Sequence, residues 1–270
     1  LNNIIITGST GFIGSYITEF LEKKYTCLEI SKKKGVDILN FSDLQKLDFE
    51  ADTIIHAAAS MSNDFEDSFY TNVIGTLNIC KYAKSKKISN IIFISSISIF
   101  DNIENEYFNN YGKSKKQAEE VAQSFCVENG IGLTVLRLSQ VYDTKRIAYK
   151  SQTMLYTFID SIKKKKKLSI YGKKNPLRNY IHIEDVLYLI EDVIKNHKNG
   201  IFNFVNTKSH TISEIAYMIY DVLGEKPNIE YLEDKDDILS TYIPKNNLYF
   251  INKNFKDLQT GILEIISNEK

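Results

Sequence analysis

The sequence predicts an α/β protein: a doubly wound parallel sheet followed by a smaller α/β region. Three observations predict it. Over the first 140 residues, short runs that are apolar throughout alternate with longer segments of helical period. Strands of that kind are buried on both faces, as in a parallel sheet covered by helices. The first run, Ile4-Ile5-Ile6, leads straight into a turn with glycines at 8, 11 and 14. Past Val141 the alternation weakens, and all three prolines, Pro176, Pro227 and Pro244, fall in that half.

Taken in order, Ile4-Ile5-Ile6 is the first strand and a helix begins at the glycine turn. Tyr25 to Ile30 reads as the second strand. Thr53 to His56 is another, running into Ala57-Ala58-Ala59. Asp64 to Ser85 is a long helix with Phe69, Val73, Leu77 and Cys80 on one apolar stripe. Ile91 to Ile94 is a buried strand, Tyr111 to Asn129 a helix, and Leu133 to Leu138 a strand. Helices near 152–163, 183–196 and 211–223 follow, with short strands near 168–170 and 201–205. The expected first domain is 1–143 with returning segments near 179–205. The expected second is 144–178 and 206–270, a substrate-binding region.

The 270 residues carry 34 basic and 34 acidic side chains, so no net field favours nucleic acid or an anionic membrane. An anionic ligand must be held by local charges and backbone amides. Cys27, Cys80 and Cys126 lie far apart in apolar stretches without metal-ligand spacing. Reduced buried thiols, no metal and a cytoplasmic location are the expectation. No apolar run approaches the roughly 18 residues of a membrane span, and with the first strand this early no signal peptide is expected. Lys163 to Lys167 reads as the solvated end of a helix, suited to the C-terminal dipole.

The turn Thr7-Gly8-Ser9-Thr10-Gly11-Phe12-Ile13-Gly14 has a direct physical use. One glycine permits the tight turn, another lets backbone approach a pyrophosphate, and a third lets the helix pack closely. The helix N-terminus then offers free N–H groups to the anion. Strand, turn and helix together read as a Rossmann-type dinucleotide site.

Tyr111-Gly112-Lys113-Ser114-Lys115 opens a helix and places Tyr111 and Lys115 one turn apart on one face. A fixed ammonium is expected to stabilise the phenolate and lower the tyrosine pKa toward neutrality. A three-unit shift would correspond to roughly 4 kcal/mol and give a usable general acid or base. The preceding strand ends in Ser95-Ser96-Ile97-Ser98, where a hydroxyl can share a substrate oxygen with the tyrosine. Fifteen positions separate Ser96 from Tyr111, so the connection between them is short.

These motifs resemble the extended short-chain dehydrogenase/reductase superfamily, with its nucleotide-sugar epimerases, dehydratases and reductases. The glycines begin Thr-Gly with three-then-three spacing, and Asp37-Ile38 matches the adenine-contacting acid and its apolar neighbour. His56-Ala57-Ala58-Ala59 is similar to the segment beneath the cofactor, and Thr71-Asn72-Val73-Ile74-Gly75-Thr76 to the family's helix motif. Arg178-Asn179-Tyr180-Ile181-His182-Ile183-Glu184-Asp185-Val186 matches a late signature. The resemblance implies that Gly8, Thr10, Gly11, Phe12, Ile13, Gly14, Ala57, Ala58, Ala59 and Asn72 contact the dinucleotide. It maps the catalytic hydroxyl to Ser96, beside Tyr111, and gives Lys115 the nicotinamide ribose. Arg178 would grip a diphosphate by bidentate bonds, with a surface ion pair as the alternative. His56 and His182 fall on structural positions, and Asp185 is expected to cap the helix starting near Ile183.

The departures are informative. The family's dehydratases place an Asp-Glu pair after the catalytic hydroxyl. Here Ile97-Ser98 stands there, which argues against elimination. Gln140 replaces a common asparagine, keeping an amide for substrate at longer reach, and Asp143 replaces a turn glycine. At the end of the second strand stand Ser31 and Lys32, with Lys33 and Lys34 behind. An acid there would bind the ribose 2′-OH and repel a 2′-phosphate. With Ser31, NADP(H) is slightly favoured over NAD(H); Glu29 as the strand's last residue would reverse this. The expected function is hydride transfer at C4 of a nucleotide sugar, as epimerase or 4-ketosugar reductase. A reductase acting on a non-sugar carbonyl and a non-catalytic dinucleotide-binding module are the alternatives. A homodimer through the 64–85 and 111–129 helices is expected.

Overall fold

A computed structural model describes residues 3–100, 109–249 and 254–268. The first half alternates strictly: β1 (Asn3–Thr7), α1 (Phe12–Leu21), β2 (Thr26–Ile30), α2 (Phe41–Gln45), β3 (Thr53–His56). A long helical segment follows as α3 (Phe65–Phe69), a π turn (Tyr70–Ile74) and α4 (Gly75–Ser85). Then come β4 (Asn90–Ser96), α5 (Asn110–Asn129) and β5 (Gly132–Leu138). The second half holds β6 (Gln140–Tyr142), α6 (Thr153–Lys163), β7 (Leu168–Tyr171), β8 (Leu177–Arg178), β9 (Tyr180–His182), α7 (Ile183–Lys195) and β10 (Gly200–Phe204). It closes with β11 (His210–Thr211), α8 (Ile212–Leu223), β12 (Ile229–Leu232) and α9 (Leu258–Ser267).

Six strands form one sheet in the order β10-β5-β4-β3-β1-β2, and every neighbouring pair is parallel. The doubly wound, Rossmann-type fold expected from the sequence is therefore present. All strand C-termini lie along one edge. The chain winds outward from β1 to β2 and then returns to place β3 on β1's other side. In open α/β sheets, ligands bind at such a reversal, outside the carboxyl ends of the strands.

The apolar runs do what their composition requires. Ile4 and Ile6 of β1, Ile55 and Ile92 pack with Ile17 and Leu21 of α1 and with Val186, Leu189 and Ile190 of α7. On the other sheet face, Ile5, Ile54 and Ile91 pack with Ile79, Cys80 and Tyr82 of α4 and Ala122 of α5. The alternation of Ile4, Ile5 and Ile6 between two cores shows why the strand is apolar throughout. A third core joins α6, α8 and α9 through Leu155, Ile159, Ile215, Ile219 and Ile262.

The strand expected near 168–170 is β7, whereas β6, β8, β9, β11 and β12 are too short to carry a sequence pattern. β6 pairs parallel with β9, β12 parallel with β7, and β8 antiparallel with β11. One capping expectation is corrected. Helix α7 is capped by His182, whose Nδ1 accepts the Glu184 N–H at 3.3 Å. Asp185 sits inside the first turn, buried, and accepts the Lys256 N–H at 2.9 Å. The lysine run begins at the end of α6, and Lys165 and Lys167 reach Glu225 and Glu230 at 3.2 and 2.9 Å. Such exposed pairs contribute little.

Cys80 and Cys126 are buried and Cys27 half-buried, all free thiols. No helix among the described residues is long and apolar enough to cross a membrane. The part of the Ser96–Tyr111 connection over 101–108 lies outside the described residues.

Candidate active site

The glycine turn occupies the reversal beside β1. Gly8 has φ +70°, and a Cβ there would stand 2.6 Å from the Ala58 nitrogen. A Cβ on Gly14 would overlap the Gly8 carbonyl oxygen. The turn is closed by the Gly11 N–H donating to that oxygen at 2.9 Å, and the Gly8 N–H donates to Ile30 at 2.8 Å. Gly11 caps α1 in extended backbone with no side chain over the first N–H groups, and Thr10 and Gly11 are exposed. The Ser9 hydroxyl is buried without a hydrogen-bond partner among the described residues. A cradle free of Cβ atoms, open helix N–H groups and an unmatched hydroxyl in the same turn fit the pyrophosphate of a dinucleotide.

Beyond it, β2 ends on Ile30, not on Glu29. Ser31 follows, buried, its Oγ accepting the Lys34 N–H at 3.3 Å. Lys34 pairs with Glu29 at 2.5 Å, and Lys32 lies 3.4 Å from Asp37. Asp37 Oδ1 accepts the Leu39 N–H at 3.0 Å. Ile38 is buried in contact distance of Gly75, and its carbonyl accepts from Asn78 at 2.9 Å.

A buried chain of hydrogen bonds joins this half to α5. The Ala58 N–H donates to Thr7 Oγ1 at 3.2 Å, and Thr7 meets His56 Nδ1 at 2.7 Å. His56 Nε2 meets Thr76 Oγ1 at 2.9 Å, and Thr76 donates to the Asn72 carbonyl at 2.5 Å. Since Thr76 spends its proton on Asn72, the imidazole proton resides on Nε2, and Thr7 donates to Nδ1. Burial, then the charge of Lys115, pulls His56 down to about 3, so it stays neutral. Ala57, Ala58 and Ala59 grow progressively away from this buried histidine, Ala59 being exposed. The Asn72 side chain is 1% exposed, holds Ser60 by two backbone bonds and donates to Ser114 Oγ at 2.9 Å. Ser114 in turn donates to the Tyr111 carbonyl at 2.9 Å. Asn72 thus stands inside the wall, one contact behind its surface, where the π turn lets an asparagine reach both neighbours.

Ser96 ends β4, and Tyr111 stands in the first turn of α5, which Asn109 caps by accepting the Gly112 N–H. The Ser96 hydroxyl donates to Ser98 Oγ at 2.9 Å and lies near enough to Tyr111 to draw the phenol's pKa down. Ser96 Oγ also accepts the Ser98 N–H at 3.1 Å. Lys115 is buried, its amine donating to the Ile94 carbonyl at 2.7 Å and lying 4.0 Å over the Phe93 ring. The expected depression of the tyrosine is not found. Burial pushes Tyr111 up to about 12, with only Ser96 pulling it down. Burial likewise pulls Lys115 down to about 7, opposed by the Glu119 carboxylate. The physical reason is direction: the amine is engaged with β4 rather than with the phenol. At neutral pH Tyr111 is a protonated phenol, ready to donate.

Phe12, Ile13, Ser96, Tyr111, Gln140 and Arg178 all line one cleft of about 430 Å³. Arg178 is 4% exposed, and its Nη1 donates to the carbonyls of Leu177 and Leu239 at 2.9 and 2.8 Å. It is buried rather than on the surface. Gln140 Oε1 accepts from the Asn179 N–H at 3.4 Å and Thr241 Oγ1 at 3.2 Å, and its Nε2 donates to Gln152 at 3.4 Å. Met61, Gln152, Met154, Ile238 and Thr241 also line the cleft. None belongs to a motif; Asn109 alone could have been found, as an N-cap asparagine ahead of the helix. Asp143, fully buried, accepts from Tyr16 at 2.8 Å, Tyr156 at 2.9 Å, and the N–H groups of Ile147 and Ala148 at 3.0 Å. That explains a carboxylate where a turn glycine was expected: it pins the turn leading to α6. His182, pulled down to about 4 by burial, is likewise structural.

The fold and cleft together define a dinucleotide-binding enzyme of the extended short-chain dehydrogenase/reductase type. The sequence profile of the NAD-dependent epimerase/dehydratase family matches residues 4–204, and the chain belongs to that family. The ADP-L-glycero-D-manno-heptose-6-epimerase of Brachyspira hyodysenteriae is 28% identical over 96% of this chain and 95% of its own. The structure of the UDP-glucose 4-epimerase of Thermotoga maritima with UDP-glucose superposes with a TM-score of 0.79 at 19% identity, covering 99% of this chain and 98% of that one. The UDP-glucose 4-epimerase of Thermus thermophilus with NAD gives 0.75 at 19% identity, covering 98% of both. At these identities the structural likeness bears on the fold.

Proposed function

We propose that this protein transfers hydride at C4 of a nucleotide-activated sugar, as a 4-epimerase or a 4-ketosugar reductase. One observation carries the reading: Ser96 and Tyr111 stand together at the wall of a cleft whose other side holds the buried Arg178. Gly8, Thr10, Gly11, Phe12, Ile13 and Gly14 would hold the dinucleotide's pyrophosphate, and Asp37 and Ile38 its adenine. Ala57, Ala58 and Ala59 would line its path, with Asn72 supporting that wall from behind. Lys115 has three N–H donors and spends one on Ile94, leaving donors for the nicotinamide ribose. When bound, the dinucleotide supplies the hydride acceptor or donor.

The proton is handled by the protein. In the ketone-to-alcohol direction, Tyr111 donates its phenolic proton to the C4 oxygen while Ser96 holds that oxygen by a hydrogen bond. In the reverse direction the phenolate takes the proton back. Release of a keto-sugar within the pocket, followed by re-addition of hydride to its other face, inverts C4 and regenerates the dinucleotide. Arg178 would bind the diphosphate and Gln140 the sugar or its nucleoside.

The turn after β2 favours the reductase variant and NADP(H) slightly over NAD(H). Ser31 offers no carboxylate, and Glu29 is held by Lys34. Michaelis constants for NADPH and NADH check this, and a clear NADH preference rejects it. A homodimer through α3, α4 and α5, where Phe65 and Tyr70 are exposed, belongs to the same proposal. The chemical reading is tested by offering 4-keto nucleotide sugars with NADPH and nucleotide sugars with catalytic NAD. Net NADPH loss identifies a reductase; epimers formed without net cofactor change identify an epimerase. If a folded, dinucleotide-binding protein shows neither of these outcomes, C4 chemistry is rejected.

A further inference from the structure

Two hydroxyls beside Ser96 have hydrogen-bonding capacity that the described residues do not use. Ser96 caps the short 3₁₀ turn Ile97–Ile99, which holds Ser98 against it. The Ser98 N–H donates to Ser96 Oγ at 3.1 Å, and Ser98 Oγ accepts the Ser96 hydroxyl at 2.9 Å. Ser98 is 9% exposed, lines the cleft, and spends its own hydroxyl proton on no group among the described residues. Ser139 stands at the neighbouring strand end. β4 and β5 pair with Ser96 opposite Leu138, so Ser139 lies one residue beyond that pair on the same carboxyl edge. Its N–H donates to the Phe204 carbonyl at 3.0 Å. Its side chain, 8% exposed and on the cleft wall, carries a hydroxyl with no partner among the described residues. Ser95 differs from both, because its hydroxyl is given to Glu119. Buried polar atoms are nearly always matched, so an unmatched one at a cleft wall marks a place for a ligand atom.

We propose that Ser98 and Ser139 form a subsite for a second sugar oxygen, one that flanks the oxygen on C4. This rests on the placement of the C4 oxygen at Ser96 and Tyr111 given above. The Ser96 and Ser98 oxygens are 2.9 Å apart, a separation that flanking oxygens of a sugar also adopt. A sugar bonded to Ser96 by its C4 oxygen therefore brings an adjacent oxygen to Ser98, with Ser139 on the next strand as the second partner. Two oxygens flank the one on C4: the C3 hydroxyl and the C6 hydroxyl. Both donate and accept, and both ask for the same hydroxyl partners. The capped turn and the strand pairing fix the two serine backbones before a sugar arrives. A sugar without that oxygen leaves them unmatched and is discriminated against.

The test is binding calorimetry on the full chain saturated with NADH or NADPH, so that an alcohol sugar is not oxidised during the titration. UDP-, dTDP- and ADP-glucose are titrated, and the tightest binder is followed by its 3-deoxy and 6-deoxy analogues. One analogue is expected to bind about tenfold more weakly than its parent, as for one lost hydrogen bond. Which analogue it is assigns the flanking oxygen to C3 or to C6. In Ser98→Ala and in Ser139→Ala the parent should weaken by a similar factor and the deficient analogue should not, so the discrimination collapses. The comparison in wild-type protein needs no variant to fold. Equal binding of the parent and both analogues to wild type overturns the proposal. Discrimination that persists in both folded variants overturns it too. Conversion at C4, assayed in parallel, separates the two readings. Conversion without discrimination rejects the subsite alone; discrimination without conversion retains the subsite and counts against C4 chemistry; no binding of any of the three sugars rejects both.

Discussion

At one end of the cleft, Ser96 ends a central sheet strand and Tyr111 opens a helix of 20 residues. At the other, Gln140, Gln152, Arg178 and Thr241 come from four separate places in the chain; Gln140 holds Gln152 and Thr241 by long hydrogen bonds, and Arg178 is held by the Leu177 and Leu239 carbonyls. The first end is braced from behind by the chain through Thr7, His56, Thr76, Asn72 and Ser114. The second is assembled from short strands and turns around one buried arginine. Rigid elements fix groups that must meet a reacting atom, while loops set which molecule is brought there. Substitutions at the two ends should therefore fail in different ways.

The largest effect is expected at the braced end. Tyr111→Phe should lower kcat by about 10²–10⁴-fold, the contribution of a positioned acid–base group, with dinucleotide affinity retained. Steady-state rates and a fluorescence titration of the cofactor check both halves of that statement; unchanged kcat would break the comparison. At the assembled end, Arg178→Met should raise KM for a diphosphate-bearing substrate by roughly 10–100-fold, as charge-assisted bonds of about 1.5–3 kcal/mol are lost. A substrate without a diphosphate should show no such change, and competition assays with the two kinds of ligand separate them.

Acid should act on the framework common to both ends. His56 and His182 are held neutral by burial, so their contribution is complete above the ordinary histidine value near 6.5. It is lost as pH falls toward about 4 for His182 and about 3 for His56. His182 alone accounts for a loss on the order of 3 kcal/mol by linkage. Urea midpoints measured from pH 7 down to pH 4 should fall accordingly; a flat profile would contradict neutral burial of both rings. The smallest effect is expected outside the cleft. Ser31→Asp should shift the NADPH-to-NADH ratio of kcat/KM toward NADH by about tenfold, close to 1.4 kcal/mol.

The braced end was legible in the sequence because its parts are local. Three glycines after an apolar strand, a tyrosine four residues before a lysine, and a serine pair ending a strand each leave a pattern within a few residues. The assembled end left none: Gln152, Ile238 and Thr241 meet Gln140 and Arg178 only through packing of the second half. Strands as short as β8 and β11, two residues each, have no period to read. Direction was also hidden. The spacing of Tyr111 and Lys115 places both on one helix face, yet gives no sign that the amine turns to the Ile94 carbonyl. Nor does it show that burial outweighs charge at the phenol. Likewise, Asp185 has the residue type of a cap, while His182, one residue ahead of the helix, has the geometry.

The most direct measurement is the configuration at C4. The protein is incubated with a panel of UDP-, dTDP- and ADP-linked sugars and their 4-keto forms, with NAD and with NADPH, and the products are read by proton NMR. For at least one substrate, wild-type protein is expected to invert C4 or reduce a C4 ketone, and Tyr111→Phe to do neither while still binding dinucleotide. No change at C4 across the panel, in protein that binds the dinucleotide, would contradict the assignment of Tyr111 and Ser96 to that carbon.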